Sequence, residues 1–120
     1  MPIVLQAQLA VVAEFPKQYF LKNLAVRSDG SILVTAFNQK ELWYVPTPKD
    51  DRLVTPVLMH SFDLMTLCVV ETDPDVFLIG TSDVYEAGEA RLYRVDLRTW
   101  TPRESIEPRL VLEFPGPRWG

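Results

Sequence analysis

The side chains that could handle a small molecule gather where one apolar run of the sequence gives way to the next. Tyr19, Lys22 and Asn23 come first, then Asn38 and Gln39, then Thr66, and finally Ser82, Asp83 and Tyr85. An asparagine amide both donates to and accepts from a carbonyl, and a lysine ammonium polarises one. Each has an ordinary structural use as well, Asn23 as a turn cap and Lys22 as a solvated cation. Other chemistries find less to work with. His60 has no partner in a readable triad, and Cys68, inside Leu67-Cys68-Val69-Val70, reads as a core thiol. One cysteine and one histidine cannot make the usual zinc ligand set. Asp73-Pro74-Asp75 begins like a calcium loop, but Phe77 stands at the third ligand position and the required glycine is missing. Asp83, Glu86 and Glu89 read as solvated loop charges, and the glycines make no phosphate-binding spacing. No metal and no cofactor is expected.

Composition narrows the partners. The chain has 120 residues, room for one domain. Its 12 Lys and Arg against 16 Asp and Glu leave a net charge of −4, with no basic stripe, so no nucleic-acid partner is expected. Apolar residues make up 48% of the chain, too many for a disordered segment. No apolar run approaches the ~20 residues that cross a bilayer, so no membrane partner is expected. The start, Met1-Pro2-Ile3-Val4-Leu5-Gln6, lacks the cationic flank of a secretory signal. The expectation is a soluble, cytoplasmic, globular chain with a small molecule as a candidate partner.

The elements that must position these residues read as strands. Ile32-Leu33-Val34-Thr35, Leu42-Trp43-Tyr44-Val45, Val76-Phe77-Leu78-Ile79 and Leu92-Tyr93-Arg94-Val95 are rich in branched and aromatic residues. Ser28-Asp29-Gly30-Ser31, Pro46-Thr47-Pro48 and Asp73-Pro74-Asp75 bound them with turn chemistry. Gln6 to Glu14 admits a helix, but Val11-Val12 and Phe15-Pro16 favour a strand. Self-similarity orders the pieces. Val11-Val12-Ala13-Glu14-Phe15-Pro16, Val57-Leu58-Met59-His60-Ser61-Phe62 and Leu110-Val111-Leu112-Glu113-Phe114-Pro115 end alike, their phenylalanines 47 and 52 positions apart. Leu24 to Ile32 matches Cys68 to Val76 at a spacing of 44, and Glu41 to Val45 matches Arg91 to Val95 at 50. Six extra residues are thereby placed in the acidic stretch around Asp83 to Glu89.

Four short strands in a repeat of about 50 residues is the arithmetic of a β-propeller blade. The expected fold is all-β: a partial β-propeller of two four-stranded antiparallel blades plus one extra N-terminal strand, in a single domain over 1–120. Blade one spans 23–62, with strands at 23–27, 32–36, 41–46 and 55–62. Blade two spans 66–114, with strands at 66–71, 76–81, 90–96 and 109–114. Residues 9–14 would be the outer strand of a neighbouring blade. An eight-strand sandwich is the competing arrangement. Trp43, Tyr44 and Tyr93 then pack between blades, and Leu42 and Leu92 are equivalent core positions. A ring takes 4–8 blades, so the chain reads as a piece of a propeller, with self-association through exposed blade faces as an expectation.

Phe20 to Thr35, with Glu41-Leu42-Trp43-Tyr44-Val45 and Asp75-Val76-Phe77-Leu78-Ile79-Gly80, resembles the gluconolactonase-like six-bladed propellers. The likeness is nearest to a fungal branch associated with secondary-metabolite biosynthesis, and covers about the first two blades of such a protein. The wider family hydrolyses lactones or phosphoesters with a divalent metal on the propeller axis, one ligand being a glutamate at the start of the first inner strand. Lys22 stands at that place, and a cation cannot ligate a hard divalent ion. The resemblance therefore implies metal-independent cyclisation, like that of hetero-Diels–Alderase-like relatives, ahead of lactone hydrolysis. A non-catalytic remnant or association module is the alternative. Lys22, Asn23, Asn38, Thr66 and Ser82 are the expected substrate-binding residues, on the ring face opposite the tight turns at 28–31 and 72–75.

Overall fold

In the computed structural model the described residues are 10–50, 52–84 and 88–116. They form β1 (Leu21–Val26), β2 (Ile32–Ala36), β3 (Glu41–Val45), β4 (Val57–Ser61), β5 (Met65–Asp73), β6 (Val76–Ser82), β7 (Ala90–Asp96) and β8 (Arg109–Phe114). No helix occurs among the described residues. Two four-stranded antiparallel sheets result, β1-β2-β3-β4 and β5-β6-β7-β8, each a meander in chain order. The strands at 32–36, 90–96 and 109–114 keep the bounds read from the sequence; β5 runs longer at both ends.

Register shows the two sheets to be one unit built twice. A bulge leaves Lys22 unpaired between Leu21↔Ala36 and Asn23↔Thr35. The same bulge leaves Leu67 unpaired between Thr66↔Thr81 and Cys68↔Gly80. On the other side of each sheet, Met59 is the extra residue opposite Leu42 and Trp43, and Val111 the extra residue opposite Leu92 and Tyr93. Matching pair for pair gives spacings of 45 for the first two strands, 50 for the third and 52 for the fourth. The spacing of 44 read from the sequence is thus one residue short. A slip of one residue normally exchanges the two faces of a strand. It passes unnoticed here because Leu33, Val34, Thr35 and Ala36 are all buried, leaving no alternation to fix the register. The insertion shrinks accordingly: four residues separate the paired Ala36 and Glu41, and nine separate Thr81 and Arg91, a difference of five.

The sheets stack with β5 lying over β1 and β2. Paired residues share a face, so Ala25, Leu33, Leu42 and Tyr44 of the first sheet look toward Val69, Phe77, Ile79, Tyr93 and Val95 of the second. Met59, Phe62, Leu97 and Ile106 close the sides of this core. Tyr44 meets Trp100 edge-on at 5.2 Å, and Tyr93 packs on Phe62 at 5.1 Å. Trp43 lies on the opposite face of its strand, under Phe15 at 5.5 Å and Tyr19 at 6.1 Å.

Polar bonds tie the stack at both ends. The Arg27 guanidinium makes a two-pronged ion pair with Asp75 (Nε–Oδ1 2.9 Å, Nη2–Oδ2 2.8 Å). Its Cζ lies over the rings of Tyr44 and Trp100, 5.9 and 5.6 Å from their centres. Asp75 holds φ at 61°, a left-handed conformation that Asp tolerates better than most residues, at the tip of the β5–β6 turn. Arg27 flanks the equivalent β1–β2 turn, where Gly30 at φ 87° makes the reversal. At the other end the buried Thr66 hydroxyl lies within hydrogen-bond distance of the Ala36 (3.1 Å) and Glu41 (3.0 Å) carbonyls.

The expected N-terminal strand does not form. Residue 9 lies outside the described residues, and Ala10 to Glu14 carry no strand. A strand needs a ladder partner, and here the segment is held by one backbone bond from Val54 N–H to the Val12 carbonyl (2.8 Å) and by Phe15 on Trp43.

Candidate functional site

The topology brings the starts of β1 and β5 and the ends of β2 and β6 to one end of the stack. This is the end where the sequence placed its polar residues. Lys22 and Asn23 line a groove of about 300 Å³ with Leu21, Leu24 and Val34. Lys22 is the bulged residue, and bulges re-aim side chains; its ammonium lies 6.0 Å from the centre of the Phe20 ring. Asn23 is half structural. Its side-chain oxygen accepts the Val69 N–H at 3.0 Å, joining β1 to β5. Its backbone N–H donates to the Thr35 hydroxyl, which in turn donates to the Asn23 carbonyl. The side-chain NH2 is then the group with which Asn23 can serve a ligand. The Lys22 cation beside the apolar wall of Leu24 and Val34 suits a carbonyl or carboxylate.

The remaining expected site residues are not gathered in that groove. Thr66 is fully buried and its hydroxyl is engaged with the β2–β3 turn. Ser82 is buried in the neighbouring strand, paired with Met65. Asn38 is exposed in the β2–β3 turn. Gln39 reaches the Gln18 carbonyl, while its own side-chain oxygen is buried without a partner. Tyr19 packs on Trp43. Asp83 closes its loop through backbone bonds with Gly88 and Glu89. Tyr85 and Glu86 lie outside the described residues.

No family model, curated protein or solved structure matches this chain.

The divalent ion implied by the resemblance can be tested against the residues present. On that resemblance Lys22 would stand where a glutamate ligates, and among the described residues no three His, Cys, Asp or Glu side chains come together as a ligand set. Glu89 pairs with Arg91 at 3.0 Å, and Arg91 also approaches Glu113 and Asp63. Asp75, half of the calcium-like motif, is bound to Arg27. These residues do not fit a divalent ion.

Two features escaped the sequence. Arg27 joins two turns 48 positions apart, a pairing that no local motif signals. A second cleft of about 290 Å³ lies at the opposite end, between Arg94, Asp96, Trp100, Glu104 and Arg109. There the bonds from Arg98 hold the Asp96 carboxyl at about 2. Cys68, expected in the core, is partly exposed on the open face of the second sheet. It crowds Gly80, where an added Cβ would come within 2.6 Å of its sulfur.

His60, on β4, meets Phe62 edge-on at 4.6 Å, and burial pushes its pKa below 6.5, with Asp63 opposing. The unfolded chain then binds more protons than the folded one between the folded pKa and 6.5. Stability is full above this window and falls as pH drops through it. Urea midpoints between pH 8 and 5 should show that fall, and His60→Gln should flatten it; an unchanged slope would remove His60 as the source.

Proposed function

We propose that the two sheets are consecutive blades of a β-propeller and that the chain acts as an association module. On this reading a small-molecule site forms beside β1 only when neighbouring sheets wall it in. The observation that carries the reading is the repeated unit itself. Sheets with matching bulges stack inner strand to inner strand. Stacking of this kind leaves one face of each sheet open to a further copy. Leu24 and Val26 at one open face, and Val70, Leu112 and Phe114 at the other, remain exposed. Apolar patches of this kind mark association surfaces.

The chemistry belonging to this proposal is the one drawn from the resemblance: metal-independent processing of a small molecule, such as cyclisation, in fungal secondary-metabolite biosynthesis. Lys22 and Asn23 are its proposed contacts, supported by their shared groove. Among the described residues no helix is long and apolar enough to cross a membrane. Sedimentation velocity over a concentration series should show association, and Val70→Asp should reduce it at least tenfold by burying an unpaired charge. Turnover of a lactone or polyene, where present, should follow the associated species. A monomer at every concentration that turns over either substrate contradicts the reading.

A further inference from the structure

We infer that, when copies associate, β8 of one copy takes the place that residues 12–16 hold on the first sheet of the next. The N-terminal segment is thus a built-in competitor of assembly. This rests on the propeller reading and names its partner, a second copy of this chain.

The inference begins with two short stretches. Val12-Ala13-Glu14-Phe15-Pro16 and Val111-Leu112-Glu113-Phe114-Pro115 differ at one position of five. Within the chain, Phe62 at the end of the first sheet packs on Tyr93 of the second. Register makes Trp43 the first-sheet equivalent of Tyr93, and Phe114 the second-sheet equivalent of Phe62. Trp43 therefore offers the seat for a phenylalanine arriving from a preceding unit. Phe15 fills that seat, at 5.5 Å where Phe62 stands 5.1 Å from Tyr93. Phe114 meanwhile has no such seat: it is 51% exposed, against 8% for Phe62.

The two claimants differ in what comes with them. Residues 10–14 form no strand, and one backbone bond to Val54 holds Val12. Phe114 arrives on a strand already laddered to β7. Seating it also brings the open face of the second sheet against the open face of the first. Val70 then stands where Ala25 stands inside the chain, and Leu24 where Val69 stands. Both of these exposed residues become covered, as their equivalents are. The contact joins unlike faces, so repeated addition closes a ring or extends a filament.

The test compares the full chain with Phe15→Ala, Phe114→Ala and Val70→Asp by sedimentation velocity, with far-UV circular dichroism to establish folding. Removing the competitor in Phe15→Ala should strengthen association about tenfold, by freeing the competent state. Phe114→Ala, at an exposed position, should keep the fold and weaken association by a similar factor. Phe114→Ala associating like the parent while Val70→Asp is monomeric overturns the exchange and leaves the propeller reading standing. Phe15→Ala associating no more strongly than the parent overturns the competition. A parent and variants that all stay monomeric overturn both.

Discussion

Leu42→Ala should unfold far more easily than Leu92→Ala, although the two leucines occupy the same place in the repeated unit. Leu42 is fully buried, in the core shared by the two sheets. Truncating such a leucine costs about 2–5 kcal/mol through lost transfer energy and the cavity left behind. A domain of this size has only about 5–15 kcal/mol in total. Leu92 sits beside Gly80 on the open face of the second sheet and is only partly buried. Its truncation should cost about 1 kcal/mol, in proportion to the smaller apolar area it removes from water. Urea unfolding at low protein concentration, where the proposed association would not cover Leu92, separates the two. Equal midpoints would mean that the faces are assigned wrongly. The sequence alone makes both leucines core positions, and this holds for Leu92 only once something covers its face.

Arg27→Ala should be the most damaging polar substitution. Its side chain is 9% exposed, forked onto Asp75 and placed near two aromatic rings. Asp75, Asp29 and Tyr44 raise the guanidinium pKa, its hydrogen bonds to Asp75 most, so the charge is kept throughout the working pH range. Removing one partner of a buried pair costs about 3–5 kcal/mol, and a loss near 3 is expected because Asp75 keeps contact with water. Arg27→Lys should recover only part, since an ammonium cannot make the two-pronged contact. In a double-mutant cycle, Arg27→Ala with Asp75→Ala should cost clearly less than the sum of the single changes. Additive costs would show that the pair contributes nothing across the sheets.

Strands were legible where branched and aromatic residues met strong turn chemistry. Ile32–Ala36, Ala90–Asp96 and Arg109–Phe114 are cases where side-chain preference and chain reversal agree. What the sequence could not supply was the facing of the first two strands in each unit. Residues 33–36 are buried on both sides, so a one-residue error in the repeat left no mark in the pattern. The roles of Arg27, Thr66 and Asn23 as ties between sheets depend on partners 25 to 48 positions away. No spacing rule reaches that far. The polar residues singled out in the sequence lie at or near one end of the stack. Its members divide in the fold, because Thr66 and Ser82 are buried while Lys22 and Asn23 line a groove.

The proposed stacking of unlike sheet faces between copies can be tested by disulfide trapping. Two chains are needed, both carrying Cys68→Ser, one with Leu24→Cys and the other with Val70→Cys. Leu24 and Val70 correspond in register to Val69 and Ala25, which belong to the packed interior within one chain. Mixed and mildly oxidised, the two chains should give a cross-linked pair on a non-reducing gel, while neither chain alone should do so. Cross-links within each single preparation, or none in the mixture, would contradict head-to-tail stacking of a repeated propeller unit.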